Sequence, residues 1–315
     1  MQPTTDVRFG VDSMSSPLRL VAMRRPGAIL TADHDRWHYA GPIEAGELVD
    51  QFDTFVGLLV DDGVEVAWLP AGSPGGDGGD PGPVDDDLAD SIFTYDPSFV
   101  VPAGAVVLRP GKPLRTLETD LHDRFYREAG IPIVGRIEAP GTVEGGDCFW
   151  IDPATLAVGR GFRTNADGID QLSRILQPLG IAIEVYDLPY HRGPESCLHL
   201  LSVISPLDAD LALVHAPLLP TALWERLTGA GWDLVAAPPD EFEASAGLSL
   251  NVLATGPRRV IAIDGYPATA ETLRAAGCRV ATFRADALCL PCEGGPTCLT
   301  RPLRRDPGVV AGVSG

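Results

Sequence analysis

The feature that most constrains this chain is a recurring junction. Five times a helix-like segment ends at a glycine and a β-rich run follows at once. The junctions are Leu58 to Gly63 before Val64-Glu65-Val66, Phe125 to Gly130 before Ile131-Pro132-Ile133-Val134, Ile175 to Gly180 before Ile181 to Val185, Leu227 to Gly231 before Trp232-Asp233-Leu234-Val235, and Leu273 to Gly277 before Cys278-Arg279-Val280. Glycine suits the residue after a helix end, because it enters the left-handed conformation without a Cβ clash. Successive junctions lie roughly fifty residues apart, within the range of propeller and solenoid repeats.

Two strand-like stretches precede the later helices. They are Asp147 to Ile151 and Leu156 to Gly159 in the third unit, Leu198 to Ile204 and Leu211 to His215 in the fourth, and Ser249 to Ala254 and Val260 to Asp264 in the fifth. Each unit therefore reads strand, strand, helix, strand. The first interval is longer because residues 71–90 are rich in Gly, Pro and Asp, which predicts a flexible acidic insertion on the surface. Asp85-Asp86-Asp87 within it lacks the closing glutamate of a calcium loop. No linker divides the chain, so residues 1–315 are expected to form a single domain.

The repeat also gathers the reactive residues. Asp96, Glu144, His199, Asn251 and Cys298 each fall on the first strand of a unit or on the turn leading to it. Equivalent positions around an axis would bring them together. Cys298 follows the last complete unit, so its segment is expected to close the ring beside the N-terminal unit. A cysteine in the glycine-bearing turn Cys292-Glu293-Gly294-Gly295-Pro296-Thr297-Cys298, with histidine and carboxylate partners far upstream, suggests a thiolate nucleophile assembled by the fold. Each residue also has an ordinary structural reading: a buried small hydrophobe for Cys298, a core histidine for His199, turn residues for Glu144 and Asp96, and surface or cap-side arginines for Arg115 and Arg163. The ordered recurrence of Asp96, Glu144, His199, Asn251 and Cys298 favours a site over separate coincidences.

Composition narrows the partners. The net charge of −19 argues against nucleic acid, which requires a basic face. It suits a cationic small molecule, but is more simply read as plain solubility. No apolar run is long enough for a secretory signal or a membrane span, so the cytoplasm is the expected compartment. Six cysteines in 315 residues do not make a disulfide scaffold, and Cys289-Leu290-Pro291-Cys292 lacks further ligands at zinc spacing. Self-association into a homo-oligomer stays open.

Four motifs in order carry a resemblance. Thr142-Val143-Glu144-Gly145-Gly146-Asp147, Gly159-Arg160-Gly161-Phe162-Arg163-Thr164-Asn165, Leu198-His199-Leu200 and Gly294-Gly295-Pro296-Thr297-Cys298 resemble the guanidino-modifying enzymes: arginine deiminases, dimethylarginine dimethylaminohydrolases and amidinotransferases. The resemblance implies a pseudo-fivefold α/β propeller of ββαβ modules. Within the group the chain looks most like the dimethylarginine hydrolases, through Asp90-Ser91-Ile92-Phe93-Thr94-Tyr95-Asp96, similar to their substrate-binding segment, and Arg109-Pro110-Gly111-Lys112-Pro113-Leu114-Arg115, similar to their arginine-bearing turn.

By this resemblance Asp96 binds the guanidinium and Phe93 packs on its plane, within a segment opened by Asp90. Arg115 and Arg163 hold the substrate α-carboxylate. Glu144 grips the guanidinium or orients the histidine, His199 is the acid and base, and Cys298 is the nucleophile. Two positions depart from the pattern. Tyr95 stands where close relatives carry a carboxylate, and Leu201 stands where arginine deiminases carry an aspartate. Leu201 in place of that aspartate leaves room and apolar surface near one guanidinium nitrogen, which favours an N-substituted guanidine over arginine, whereas Tyr95 leaves the recognition of that substituent open.

The implied reaction is hydrolysis of N-methylated arginine to citrulline and a methylamine through a cysteine thiouronium, with no metal or organic cofactor. Arginine deimination or dihydrolysis, amidino transfer, and a non-catalytic propeller that binds arginine-like ligands are the alternatives.

Overall fold

The computed structural model describes residues 9–71, 86–194 and 197–308. Most of the expected insertion at 71–90 therefore lies outside the described residues. The described residues form five three-stranded sheets. The first contains β1 (Leu18–Met23) and β2 (Glu65–Trp68), joined through the short α1 (His34–Trp37) and the long α2 (Ala45–Asp61). The second holds β3 (Ser98–Val101), β4 (Gly104–Val107), α3 (Glu118–Glu128) and β5 (Ile133–Arg136). The third holds β6 (Cys148–Asp152), β7 (Thr155–Arg160), α4 (Ala166–Leu176) and β8 (Ala182–Asp187).

In the fourth, β9 (Ile204–Asp208), β10 (Leu211–Val214), α5 (Thr221–Gly229) and β11 (Asp233–Ala236) are followed by α6 (Pro239–Ala244). In the fifth are β12 (Leu253–Gly256), β13 (Arg259–Ile263), α7 (Pro267–Ala275) and β14 (Arg279–Phe283). The last strand, β15 (Arg301–Arg305), returns to pair antiparallel with β1 and completes the first sheet.

Every sheet obeys one rule. The central strand pairs antiparallel with its inner neighbour and parallel with the strand beyond the helix. A parallel partner requires a crossover, and the helix supplies it. The five junction glycines all take left-handed φ values, from 69° at Gly130 to 86° at Gly231, as their position past a helix demands.

Burial decreases across each sheet. Inner strands such as β3 and β12 are wholly buried, whereas β2, β5 and β11 are half-exposed. Inner strands of different sheets approach one another, β9 with β12 and β15 with β3. One apolar cluster packs Phe52, Phe55 and Leu59 of α2 against the first and fifth sheets, and another packs Phe99, Trp150 and Tyr126 between the second and third. Among the described residues no helix is long and apolar enough to cross a membrane.

Two expected strands begin later than their sequence suggested. Residues 200–202 form a helical turn before β9, and residues 248–250 form one before β12. In the third unit Gly145–Asp147 form a similar turn before β6. In the fourth, the Ser202 hydroxyl accepts from the His199 backbone N–H at 3.0 Å, which closes the chain into a turn where a strand would leave that group open. The reactive residues thus sit on turns at the entrances to the inner strands, not on the strands.

Candidate active site

These turns converge on a cavity of about 240 Å³, lined among others by Cys298, His199, Asp96, Asp90, Phe93 and Arg163. Glu144 lies just beneath its wall, fully buried. Its Oε2 meets His199 Nε2 at 2.5 Å. Its Oε1 accepts the backbone N–H groups of Gly111 and Lys112 at 2.8 and 3.2 Å. Arg163 Nε stands 3.6 Å from the same carboxylate.

Burial alone would raise the Glu144 carboxyl, but Arg163 and His199 hold it well below the usual carboxylate range. Burial likewise opposes charge on His199. Cys197, Asp96 and Glu144 outweigh it, and the imidazole keeps its proton well above its ordinary pKa.

Asp96 is fixed from both sides. Its Oδ1 accepts the Gly146 N–H at 2.9 Å and its Oδ2 accepts from Arg115 at 2.6 Å. Asp90 accepts from the Tyr39 hydroxyl at 2.8 Å and from Lys112, the chain's one lysine, at 2.6 Å. Phe93 lies against Gly294, where an added Cβ would come within 2.2 Å of the ring. A glycine is therefore required at that close approach.

Cys298 Sγ receives a hydrogen bond from Asn251 Nδ2 at 3.3 Å, while Asn251 Oδ1 accepts the Thr297 N–H at 3.0 Å. Burial first, and Asp96 second, push the Cys298 thiol up to about 11.

Three expectations are corrected. Arg115 lines the cavity, but its guanidinium is committed to Glu118, Asp96 and the Phe93 carbonyl. It braces Asp96 and has little capacity left for a substrate carboxylate. Tyr95 does not face the Cys298 cavity. Its ring lies under the Arg301 guanidinium, 3.8 Å from ring centroid to guanidinium carbon, in a separate narrow cavity. Leu201 lines that same separate cavity. Neither residue therefore supplies apolar surface beside a bound guanidinium.

Other residues enter the site without having been assigned a role from sequence. Asn251, one of the recurring positions, is also the hydrogen-bond partner of the Cys298 thiol. Cys197 lies 3.7 Å from His199 Nδ1 and lines the cavity. The Cys197-Leu198-His199 spacing was its signal, since residues two apart in extended chain share a face. Cys292 also lines the cavity, and neither it nor Cys289 is in a disulfide.

Asp96, Glu144 and His199 offer ligand atoms within 4.8 Å of one another. These atoms are already bonded to protein groups, and Arg115 and Arg163 stand beside them. That surrounding favours proton sharing and a delocalised organic cation over a divalent metal ion.

Comparison with known proteins agrees with this arrangement. An arginine deiminase family model matches residues 84–233. The dimethylarginine dimethylaminohydrolase of Pseudomonas aeruginosa is 28% identical over 251 residues, covering 80% of this chain and 85% of that one. The Streptomyces coelicolor enzyme of the same name is 28% identical over 258 residues, covering 82% and 86%. An amidinotransferase from Microseira wollei shares the fold, with a TM-score of 0.73 at 18% identity over 96% of this chain and 98% of that one. The chain is thus similar to the guanidino-modifying enzymes. Among them it is similar to dimethylarginine dimethylaminohydrolases over most of its length.

Proposed function

We propose that this chain is a hydrolase that opens the guanidinium of an arginine derivative through a covalent cysteine adduct, converting N-methylated arginine to citrulline and a methylamine. The observation that carries the reading is the single cavity shared by Cys298, Asp96 and an imidazole bonded to a buried carboxylate. The sheets are read as blades of a pseudo-fivefold propeller within one domain, acting in the cytoplasm on a small cationic substrate.

The guanidinium carbon is a weak electrophile, because its charge is delocalised over three nitrogens. Asp96 retains lone pairs beyond those used by Gly146 and Arg115, and it holds the cation by charge-assisted bonds. Phe93 packs against its plane. Arg163 takes the substrate carboxylate.

A cation arriving beside a thiol pushed up to about 11 favours its ionisation, so substrate binding releases the Cys298 proton to solvent and supplies the nucleophile. The thiolate of Cys298 then bonds to the guanidinium carbon. The C–N bond to the departing amine breaks, and protonated His199 gives that amine its proton. His199, now neutral and held by Glu144, takes a proton from water. The hydroxide adds to the thiouronium carbon, the C–S bond breaks, the added hydroxyl gives its proton to the departing sulfur, and a neutral ureido product leaves as the Cys298 thiol returns.

A second reading, deimination of arginine itself, is favoured by one finding. Leu201 lies in another cavity, so the residue that argued for an N-substituent does not touch the site. Arginine deiminases are also among the relatives, that of Mycobacterium avium being 29% identical over 252 residues. Turnover of arginine, monomethylarginine and dimethylarginine, followed by the amine released, separates the two. Citrulline with dimethylamine supports the first reading, and preferred release of ammonia from arginine supports the second. Unchanged turnover in Cys298→Ser would remove both.

A further inference from the structure

A second cavity, of about 230 Å³, adjoins the one that holds Cys298. The two share Cys197, Ser202, Ala246, Gly247 and Glu293. The walls of the second are different in kind. His215 and Phe242 stack face to face, with centroids 3.6 Å apart and planes 4° from parallel. Leu198 and Leu218 extend this apolar side. Burial holds the His215 imidazole below its ordinary pKa, so near neutral pH it is an uncharged ring within an aromatic wall. The reaction described above leaves this space without an occupant.

We propose that it is a subsite for a bulky apolar or aromatic substituent on the guanidinium nitrogen that departs. The inference rests on the roles given above to Cys298 and His199. A leaving amine must come within hydrogen-bond reach of its proton donor. Two of the shared residues flank that donor. Cys197 lies against the His199 ring, and Ser202 closes the turn that His199 begins. The passage between the cavities therefore opens on the leaving-group side of the site, and a substituent on the departing nitrogen is directed along it.

Size decides what that substituent can be. A cavity of ~150 Å³ with apolar walls accommodates benzene, and this chamber of about 230 Å³, whose Phe242 and Leu218 side is apolar and whose margin is polar, has room for a ring with its linking carbon. A methyl group leaves most of the space unfilled. The bond changes are those of the hydrolysis already given: the C–N bond to the substituted nitrogen breaks, His199 protonates the amine, and water supplies the oxygen. Glu243 and Glu293 share this lining with Arg192 and His191, so the margin carries both signs of charge and the substituent is selected by size and apolar contact.

The test uses the full chain and a series of arginines carrying methyl, dimethyl, propyl and benzyl groups on one terminal nitrogen. kcat/KM is read from citrulline formed and amine released. The benzyl compound is expected to exceed dimethylarginine by about tenfold or more, the scale at which apolar pockets discriminate. Leu218→Trp, which fills the chamber, is expected to lower kcat/KM for the benzyl compound about tenfold more than for dimethylarginine.

Turnover of dimethylarginine with rates that fall steadily as the substituent grows, and with Leu218→Trp acting equally on all, overturns the subsite and leaves the hydrolase reading intact. Transfer of the amidino group to added benzylamine faster than to water assigns the chamber to an acceptor and also overturns it. If no member of the series gives a ureido product or a covalent mass shift on Cys298, the hydrolase reading itself fails.

Discussion

The Glu144 carboxylate and the His199 imidazole meet at 2.5 Å across a wall that buries the carboxylate completely. Gly111 and Lys112 hold its other oxygen, so Glu144 fixes both the orientation of the ring and its proton. In the proposed reaction Glu144 acts through His199 and is a positioning residue. Glu144→Gln keeps an acceptor for the two backbone N–H groups but removes the anion. In it, kcat is expected to fall about 10²- to 10⁴-fold, the usual contribution of a positioned acid or base. The alkaline limb of the pH–rate profile is expected to move to lower pH, since His199 releases its proton more readily without an anionic neighbour. A fall in kcat with the limb unmoved would reduce Glu144 to a structural role.

Cys298 is expected to be a thiol, not a thiolate, in the free protein near neutral pH. Burial and Asp96 raise it to about 11. Thiolate absorbance, with Cys298→Ser as the blank, should therefore titrate with a midpoint well above the free cysteine value. Asp96→Asn should lower that midpoint while weakening substrate binding. A midpoint near that of free cysteine would contradict the assignment.

Arg115 and Arg163 separate support from substrate contact. Arg115→Met leaves Glu118 and Asp96 buried without their cation, and breaking such a pair destabilises by about 3–5 kcal/mol. Urea unfolding should register that loss. Arg163 lines the cavity with its side chain 17% exposed. Arg163→Met should raise KM by about tenfold or more, in line with a lost charge-assisted hydrogen bond, and should shift the unfolding midpoint much less than the Arg115 variant does.

His122 predicts an acid sensitivity outside the site. It is buried, with Nδ1 2.8 Å from Ser98 Oγ, which in turn meets the Tyr126 hydroxyl at 2.7 Å. Burial, reinforced by Arg301 and Arg115, lowers its pKa to about 3. A base depressed on folding contributes stability that is present above its unfolded pKa and lost as pH falls toward the folded one. Between about pH 6.5 and 3 the unfolded chain binds one proton that the folded chain refuses, a slope of about 1.4 kcal/mol per pH unit. His122→Gln should remove that slope from a series of denaturant unfolding curves. An unchanged acid profile would show that His122 is charged in the folded state.

The chain's repeat was legible because backbone constraint writes itself into composition. A helix that must turn back into a strand needs a left-handed residue, and Gly63, Gly130, Gly180, Gly231 and Gly277 all take that conformation. The convergence of Asp96, His199 and Cys298 followed from the same repeat. Side-chain direction at the turns was not legible. His199 and Leu201 are two residues apart, which in a strand would place them on one face. In a turn of three residues, however, they point apart. Tyr95 and Asp96 diverge likewise, one into the core and one into the cavity. The apolar run Leu198 to Ile204 resembled a strand, and only the back-bond from Ser202 shows why its first half is not one.

The pairing of β15 with β1 has a consequence in time. A ribosome that has released the first four units and most of the fifth has delivered Asp96, Glu144 and His199, but neither the strand that completes the first sheet nor Cys298, which stands three residues before that strand. The growing chain thus carries the proposed guanidinium pocket in pieces and lacks the proposed nucleophile. Sealing the structure and arming it are the same event, because a single short segment brings both.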